Sequence, residues 1–189
     1  VVRIDSKENL VVLKNGERVN YDYLLVCTGS SYDFQIKYKE GDVSCQERCK
    51  SIELMKEKLK SSKKIWVVGA GNVGVEYTAA IWEKFNARGS EPKDITLEYR
   101  KSVIPRCPKT AQDHVSSWME KKGIRLVKSD QVAQEEKDSS DLIIGCYGCK
   151  PNTSFMEKEF LDENGLIHVN DYLQIKGLDN VFALGDCIL

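Results

Sequence analysis

Three glycines at fixed spacing, Gly69-x-Gly71-x-x-Gly74, have the clearest chemical capacity in this chain. Such a turn brings backbone N–H groups against a pyrophosphate. Gly69 allows the tight bend, Gly71 the close approach of a ligand, and Gly74 the packing of the following helix on its strand. Ala70, Asn72 and Val73 complete the turn. A helix that follows directly aims its free N–H groups and positive dipole end at the same anion. The chemistry is recognition of a dinucleotide; the plain alternative is an ordinary glycine turn. Glu98 follows Gly74 by 24 residues, near the ~20 at which an acid receives a ribose 2′-OH. It stands one place before the end of its apolar run, with Tyr99, Arg100 and Lys101 after it. Basic groups there suit a 2′-phosphate instead, and a solvated basic loop is the alternative.

The flanking elements decide how such a motif reads. Ile65-Trp66-Val67-Val68 runs straight into the glycines, and Val75-Glu76 opens a helical pattern. This is the strand–turn–helix context that a dinucleotide turn requires. The helix is expected to reach about residue 87, followed by a strand over 94–99, a helix over 110–122 closed by Gly123, and strands over 124–127 and 141–146. Strands alternating with helices imply a parallel sheet. Residues 134–140 read as a polar loop. Upstream, residues 1–29 read as β structure, with a two-residue hairpin at Asn15-Gly16 and a buried strand over 23–27. Residues 32–50 read as irregular, with capping-box spacing at Ser44 and Glu47 and a helix over about 47–60. Strands are expected over 166–169 and 181–184.

Composition bounds the function classes. The 189 residues are 41% hydrophobic and 30% charged, as in an ordinary globular protein. A net charge of −1 gives no footprint for nucleic acid or an anionic membrane. The chain lacks an apolar stretch of bilayer length and a secretory leader, and it does not start with Met. It begins within an expected strand, which suggests a piece of a longer protein. Seven cysteines is an odd number, and unpaired thiols point to a reducing compartment. Cys146-x-x-Cys149 has redox-pair spacing. Ninety-six residues separate Cys49 from Cys146, or 97 positions by number, too far for a compact zinc site with Cys45. His114 and His168 have no companions at catalytic spacing.

Three segments occur in a telling order. Tyr23-Leu24-Leu25-Val26-Cys27-Thr28-Gly29 comes first, the glycine fingerprint second, and Asn180-Val181-Phe182-Ala183-Leu184-Gly185-Asp186-Cys187 last. Over essentially its whole length the chain resembles the pyridine nucleotide-disulfide oxidoreductases, flavoproteins with two dinucleotide domains. Asp171-Tyr172-Leu173-Gln174 is similar to the branch of type II NADH dehydrogenases, apoptosis-inducing factors and ferroptosis-suppressor quinone reductases. The resemblance implies an α/β fold, with a Rossmann-like NAD(P)-binding domain over 50–150 inserted between two parts of an FAD-binding domain, 1–49 and 151–189.

It also implies roles. Thr28 and Gly29 would pass close to FAD, and Asp186 after Gly185 would bond a flavin-side hydroxyl. Gly148 would close the nucleotide domain near the cofactor, so that Cys146 and Cys149 would occupy a structural turn. Arg100 and Arg106 would stand where relatives hold the 2′-phosphate of NADPH, and Tyr99 where NAD enzymes carry an acid. Glu76 would face the nicotinamide–flavin contact; its plain alternative is a carboxylate near a helix N-terminus. The implied activity is transfer of hydride from NAD(P)H to FAD and of electrons to a small-molecule acceptor such as a quinone. A disulfide-type reductase and a non-enzymatic NAD(P)H-binding protein are the other classes. The family's first glycine fingerprint, for the FAD pyrophosphate, is not in this sequence, so these 189 residues are not expected to retain FAD tightly. Membrane-surface association and oligomeric state stay open.

Overall fold

The structure, a computed structural model, describes residues 1–32, 44–88 and 91–188. The chain forms two compact units, Tyr32–Gly148 and the pair of segments Val1–Ser31 and Cys149–Leu189.

In the unit of two segments, β1 (Arg3–Asp5), β2 (Leu10–Val12) and β3 (Arg18–Asn20) form an antiparallel meander. The bend at Asn15-Gly16 is longer than the two-residue turn expected, because Val12 pairs with Arg18 and five residues intervene. The strand β4 (Leu24–Val26) runs parallel to β11 (Val181–Ala183). Ser30–Ser31, expected as loop, forms β5 and pairs antiparallel with β10 (Lys150–Pro151). Ile4, Val11, Val26, Ile167, Ile175 and Val181 form the core. Burying each such side chain contributes about 1.5–3 kcal/mol. The run over 23–27 is not a fully buried strand: Tyr23 is 76% and Leu25 55% exposed, while alternate residue Val26 is buried. No strand forms over 166–169. Leu166 N–H goes to the Asp162 side chain, Ile167 N–H to the Cys187 carbonyl and His168 N–H to the Phe160 carbonyl. Partners that change at every residue leave only isolated bridges.

In the other unit, α1 (Cys45–Ser61) opens on Ser44, whose Oγ accepts from Glu47 N–H at 3.2 Å and donates to the Glu47 carboxylate at 3.0 Å. The expected cap is therefore present; residues 33–43 of the irregular stretch lie outside the described residues. Then follow β6 (Lys64–Val68), α2 (Asn72–Trp82), β7 (Asp94–Tyr99), α3 (Lys109–Lys121), β8 (Arg125–Lys128) and β9 (Leu142–Gly145). The expected single helix to residue 87 changes at Glu83 into a π-helical turn that ends at Ala87. The stretch expected as polar loop contains a short helix, α4 (Gln134–Asp138), closed by Ser139 N–H on the Glu135 carbonyl.

The sheet is parallel throughout, in the order β8-β7-β6-β9. Both faces are covered: Ile65, Trp66, Val67, Ile95, Leu97 and Ile144 are at most 1% exposed. A strand buried on both faces reads as a continuous apolar run, which is why β6 shows no alternation. Successive strands β6, β7 and β8 grow the sheet in one direction, and β9 returns to the other side of β6. This is the 3-2-1-4 beginning of a doubly wound order. The crevice at its switch point, beyond the carboxyl ends of β6 and β9, is where such folds place ligands.

Candidate functional site

The glycine turn lies at that switch point and is tied to its neighbours by backbone bonds. Gly69 N–H donates to the Glu98 carbonyl at 2.9 Å, and Cys146 N–H to the Val68 carbonyl at 2.7 Å. Gly69 has φ +102°, and a Cβ there would stand 2.7 Å from the Cys146 carbonyl oxygen. At Gly74 a Cβ would come within 1.8 Å of the Gly69 carbonyl oxygen. Both glycines are steric necessities of the turn itself. Gly71 differs: its φ is −73° and nothing lies within 4 Å of a Cβ placed there. Its missing side chain leaves open space in front of the backbone. Gly71 is also the N-cap of α2 and caps it with no side-chain hydrogen bond. The first-turn N–H groups of α2, which begin with Asn72 and Val73, thus retain their capacity for an anion.

A cavity of about 670 Å³ opens over this turn. Gly69, Ala70 and Gly71 line it together with Glu98, Arg100 and Lys101. Ser129, Tyr147 and Gly148 also line it. The structure therefore brings most of the expected dinucleotide residues around one space. Arg106 is exposed and is not among the lining residues, and Tyr99 follows Glu98 half-buried. The loop after β7 is pinned to the turn by Ile104 N–H, which donates to the Ala70 carbonyl at 2.7 Å. Ile104 adopts φ +42°, which a β-branched residue rarely does. Burial of Val103 and Ile104 holds the loop in place.

Glu98 is engaged within the fold. Its Oε2 accepts from Trp66 Nε1 and from Lys137 Nζ, both at 2.9 Å, and its Oε1 from Ser129 Oγ at 2.9 Å. Burial works against its charged form, but these three hydrogen bonds and the Lys137 charge outweigh it and hold the carboxyl below its ordinary range. The cavity therefore carries Arg100 and Lys101 beside a carboxylate already partnered by a cation. Trp66, Ser129 and Lys137 were not legible as site residues. They are 32, 31 and 39 positions from Glu98, and polar cross-contacts leave no periodic trace.

Glu76 is exposed on α2, one turn into the helix. The Cys146 thiol is buried beneath the turn, and burial pushes its pKa up to about 11. A redox C-x-x-C pair needs a thiol with a lowered pKa; this one is shifted the opposite way. Both Cys146 and Cys149 are free.

In the unit of two segments, the parallel pairing of β4 with β11 places Thr28-Gly29 and Gly185-Asp186 beyond the same ends of two strands. Ser30 Oγ donates to the Asp186 carboxylate at 2.7 Å. Asn152 clamps the Thr28-Gly29 turn: its N–H donates to the Gly29 carbonyl at 2.9 Å and its Nδ2 to the Thr28 carbonyl at 2.9 Å. Thr28 Oγ1 donates back to the Asn152 carbonyl at 2.6 Å. Among the described residues, no cluster of His, Cys, Asp and Glu could hold a metal ion, and no helix is long and apolar enough to cross a membrane.

A parallel sheet in this order, with its glycine turn at the switch point, defines a Rossmann-like α/β protein. The chain belongs to the pyridine nucleotide-disulphide oxidoreductase family, whose description matches residues 1–189. It is similar to ferroptosis suppressor protein 1 of Mus musculus, 30% identical over 214 residues that cover 99% of this chain and 55% of the relative. The same protein of Homo sapiens is 31% identical over 215 residues, again covering 99% of this chain and 55% of the relative. The chain thus spans about half the length of these curated relatives. Among solved structures, an engineered water-forming NADPH oxidase bound to NADPH has the same fold, with a TM-score of 0.69 at 21% identity, covering 100% of this chain and 45% of that one.

Proposed function

We propose that this chain is part of a flavin-dependent oxidoreductase that takes hydride from NADPH in preference to NADH and passes electrons to a small-molecule acceptor of the quinone class. The cavity over Gly71 carries this reading: its lining combines backbone open to a pyrophosphate with the side chains of Arg100 and Lys101. The glycine turn and the N–H groups of α2 hold the pyrophosphate. Arg100 receives the 2′-phosphate, with Arg106 in support. A guanidinium fork binds such a group through charge-assisted, bidentate hydrogen bonds. The engineered oxidase bound to NADPH carries two introduced arginines six positions apart, the first in place of the residue after a removed aspartate. Arg100 and Arg106 have the same spacing, and the residue before Arg100 is Tyr99, not an acid. NADH use through Glu98 is the second reading, and the three donors already on Glu98 weigh against it.

Unit Tyr32–Gly148 serves in this reading as the NAD(P)-binding domain, and the other unit as part of the FAD-binding domain. FAD, when bound, supplies the step from two-electron hydride chemistry to transfer onto the acceptor. The residues on the strand ends fit it in kind: Asp186 offers a carboxylate for a hydroxyl, and the clamped Thr28-Gly29 turn offers backbone for close approach. In this reading Glu76, exposed on α2, orients the nicotinamide. A thiol-based disulfide reductase is disfavoured by the upward shift of Cys146. Titration of NADPH and NADH against the chain and its Arg100→Ala, Arg106→Ala double variant tests the reading. The expected result is loss of the NADPH preference with NADH nearly unchanged; equal weakening of both dinucleotides, or of neither, would reject it.

A further inference from the structure

The carboxylate of Glu98 presents a problem for the NADPH reading. Residue Glu98 lines the same cavity as Arg100 and Lys101, and an unpaired charge on its carboxylate would repel a phosphate bound there. Like charges brought together in a desolvated site disfavour binding strongly. The fold answers with a cation from a distant element. Lys137, on α4, reaches Glu98 Oε2 at 2.9 Å, with side chains only 19% and 8% exposed respectively. The two basic residues of β8 are engaged elsewhere. Arg125 lies over the Trp66 ring at 5.1 Å and pairs with Glu136 at 2.6 Å, and Lys128 pairs with Asp130 at 2.7 Å. Lys137 is thus the cation that the described ion pairs assign to this carboxylate.

We propose that Lys137 is a positioning residue for dinucleotide selectivity, cancelling the Glu98 charge beside the cavity so that the 2′-phosphate can sit next to Arg100. This inference rests on the NADPH reading of the site. Lys137 need not touch the dinucleotide. It acts through Glu98, and Glu98 through Ser129, whose hydroxyl donates to Glu98 Oε1 at 2.9 Å, approaches the Tyr99 carbonyl at 3.2 Å, and lines the cavity. The pair therefore sets the local charge and orients one hydroxyl of the wall. A dinucleotide without the extra phosphate has little stake in the charge, so the ratio of the two affinities isolates this role from general damage to the fold.

Isothermal titration of NADPH and NADH against the whole chain at low ionic strength tests it. In Lys137→Met the NADPH dissociation constant should rise about tenfold or more, and the NADH constant should stay within about threefold, as expected for a newly unpaired like charge. Glu98→Gln, which removes the charge while keeping the shape, should leave NADPH binding as tight as in the wild type or tighter. The Glu98→Gln, Lys137→Met double variant should recover NADPH binding to within about threefold of the wild type, the rescue that marks a coupled pair. If the wild type binds neither dinucleotide, the cavity reading and this inference fail together. If the wild type binds and Lys137→Met weakens both dinucleotides equally, or the double variant is not rescued, the inference alone is overturned. Should Lys137→Met not fold, a Glu98→Gln variant that binds NADPH more weakly than the wild type would overturn it equally.

Discussion

Ser30 donates a hydrogen bond of 2.7 Å to the carboxylate of Asp186, joining two residues 156 positions apart. The bond ties the turn after β4 to the turn after β11, where the two motifs of this unit converge. Ser30 is 5% exposed, whereas Asp186 is exposed, so water can replace part of the lost donor. Ser30→Ala is expected to destabilise this unit by about 0.5–1.5 kcal/mol, the usual worth of one such bond. Urea denaturation followed by circular dichroism measures it, and an unchanged midpoint would show the bond to be incidental.

The glycines of the fingerprint divide into two kinds, and mutation should separate them. A side chain at Gly74 must displace the Gly69 carbonyl, so Gly74→Ala should cost about 1–3 kcal/mol or more through overpacking and lower the melting temperature. Gly71 faces open space at an ordinary φ. Gly71→Val should melt near the wild-type temperature and lose dinucleotide binding. A folded Gly71→Val with wild-type NAD(P)H affinity would remove the cavity from consideration as the binding site.

Arg100 and Arg106 should not contribute equally. Arg100 lines the cavity and Arg106 does not. Arg100→Ala alone should raise the NADPH dissociation constant about ten- to hundredfold, equivalent to ~1.5–3 kcal/mol for a charge-assisted contact. Arg106→Ala should have a smaller effect. Equilibrium titration of the single variants distinguishes this from an equal division between the two arginines.

Acid should weaken the Glu98 network in a defined window. The folded-state pKa of Glu98 is held below its ordinary value. Its contribution to stability is therefore complete above the unfolded-state pKa of about 4.3 and disappears as pH falls through the lower folded-state value. The stability difference between the wild type and Glu98→Gln, about 1–3 kcal/mol for one hydrogen-bonded charge, should be flat at neutral pH and should shrink below about pH 4. Urea denaturation of both proteins at pH 7 and at pH 3 checks the sign.

Thiol reactivity should follow burial. Cys27, Cys45, Cys49 and Cys149 are exposed, whereas Cys146 and Cys187 are buried. Reaction with an aromatic disulfide reagent at pH 8 should label the four exposed thiols rapidly, and Cys146 and Cys187 only on unfolding. The buried Cys146 thiol, with its pKa near 11, is almost wholly protonated at that pH. Fast labelling of Cys146 by peptide mapping would reopen a redox role for the pair.

Legibility followed physical range. The residues of β6 and β7 could be read because apolar and β-branched runs meet a turn signal within a few positions, and β7 occupies Asp94–Tyr99 as expected. Ser44 and Glu47 announced α1 for the same reason, since the cap is a contact between neighbours. The helix α4 escaped notice because Gln134–Asp138 is polar and only five residues long. Apolar residues over 166–169 suggested a strand, but tertiary partners took each N–H separately. Glu98 was legible by its distance from Gly74, whereas its engagement with Trp66, Ser129 and Lys137 was not. That engagement depends on the folded sheet bringing β6, β7 and the turns after β8 together.

Trp66 gives this protein an optical gauge of its own site. The ring is 1% exposed, and its N–H is bonded to the carboxylate of Glu98, a residue that lines the cavity. Trp82 and Trp118, the other two tryptophans of the chain, meet edge to face at 5.8 Å, with the Lys122 ammonium near both rings. Their emission therefore reports a different surface. Reduced nicotinamide absorbs where indole emits, so a dinucleotide settling over the glycine turn would dim Trp66 by energy transfer. Trp82→Phe and Trp118→Phe together would leave a single tryptophan, and with excitation selective for indole, occupancy could then be followed in unlabelled protein as light lost from the centre of the sheet.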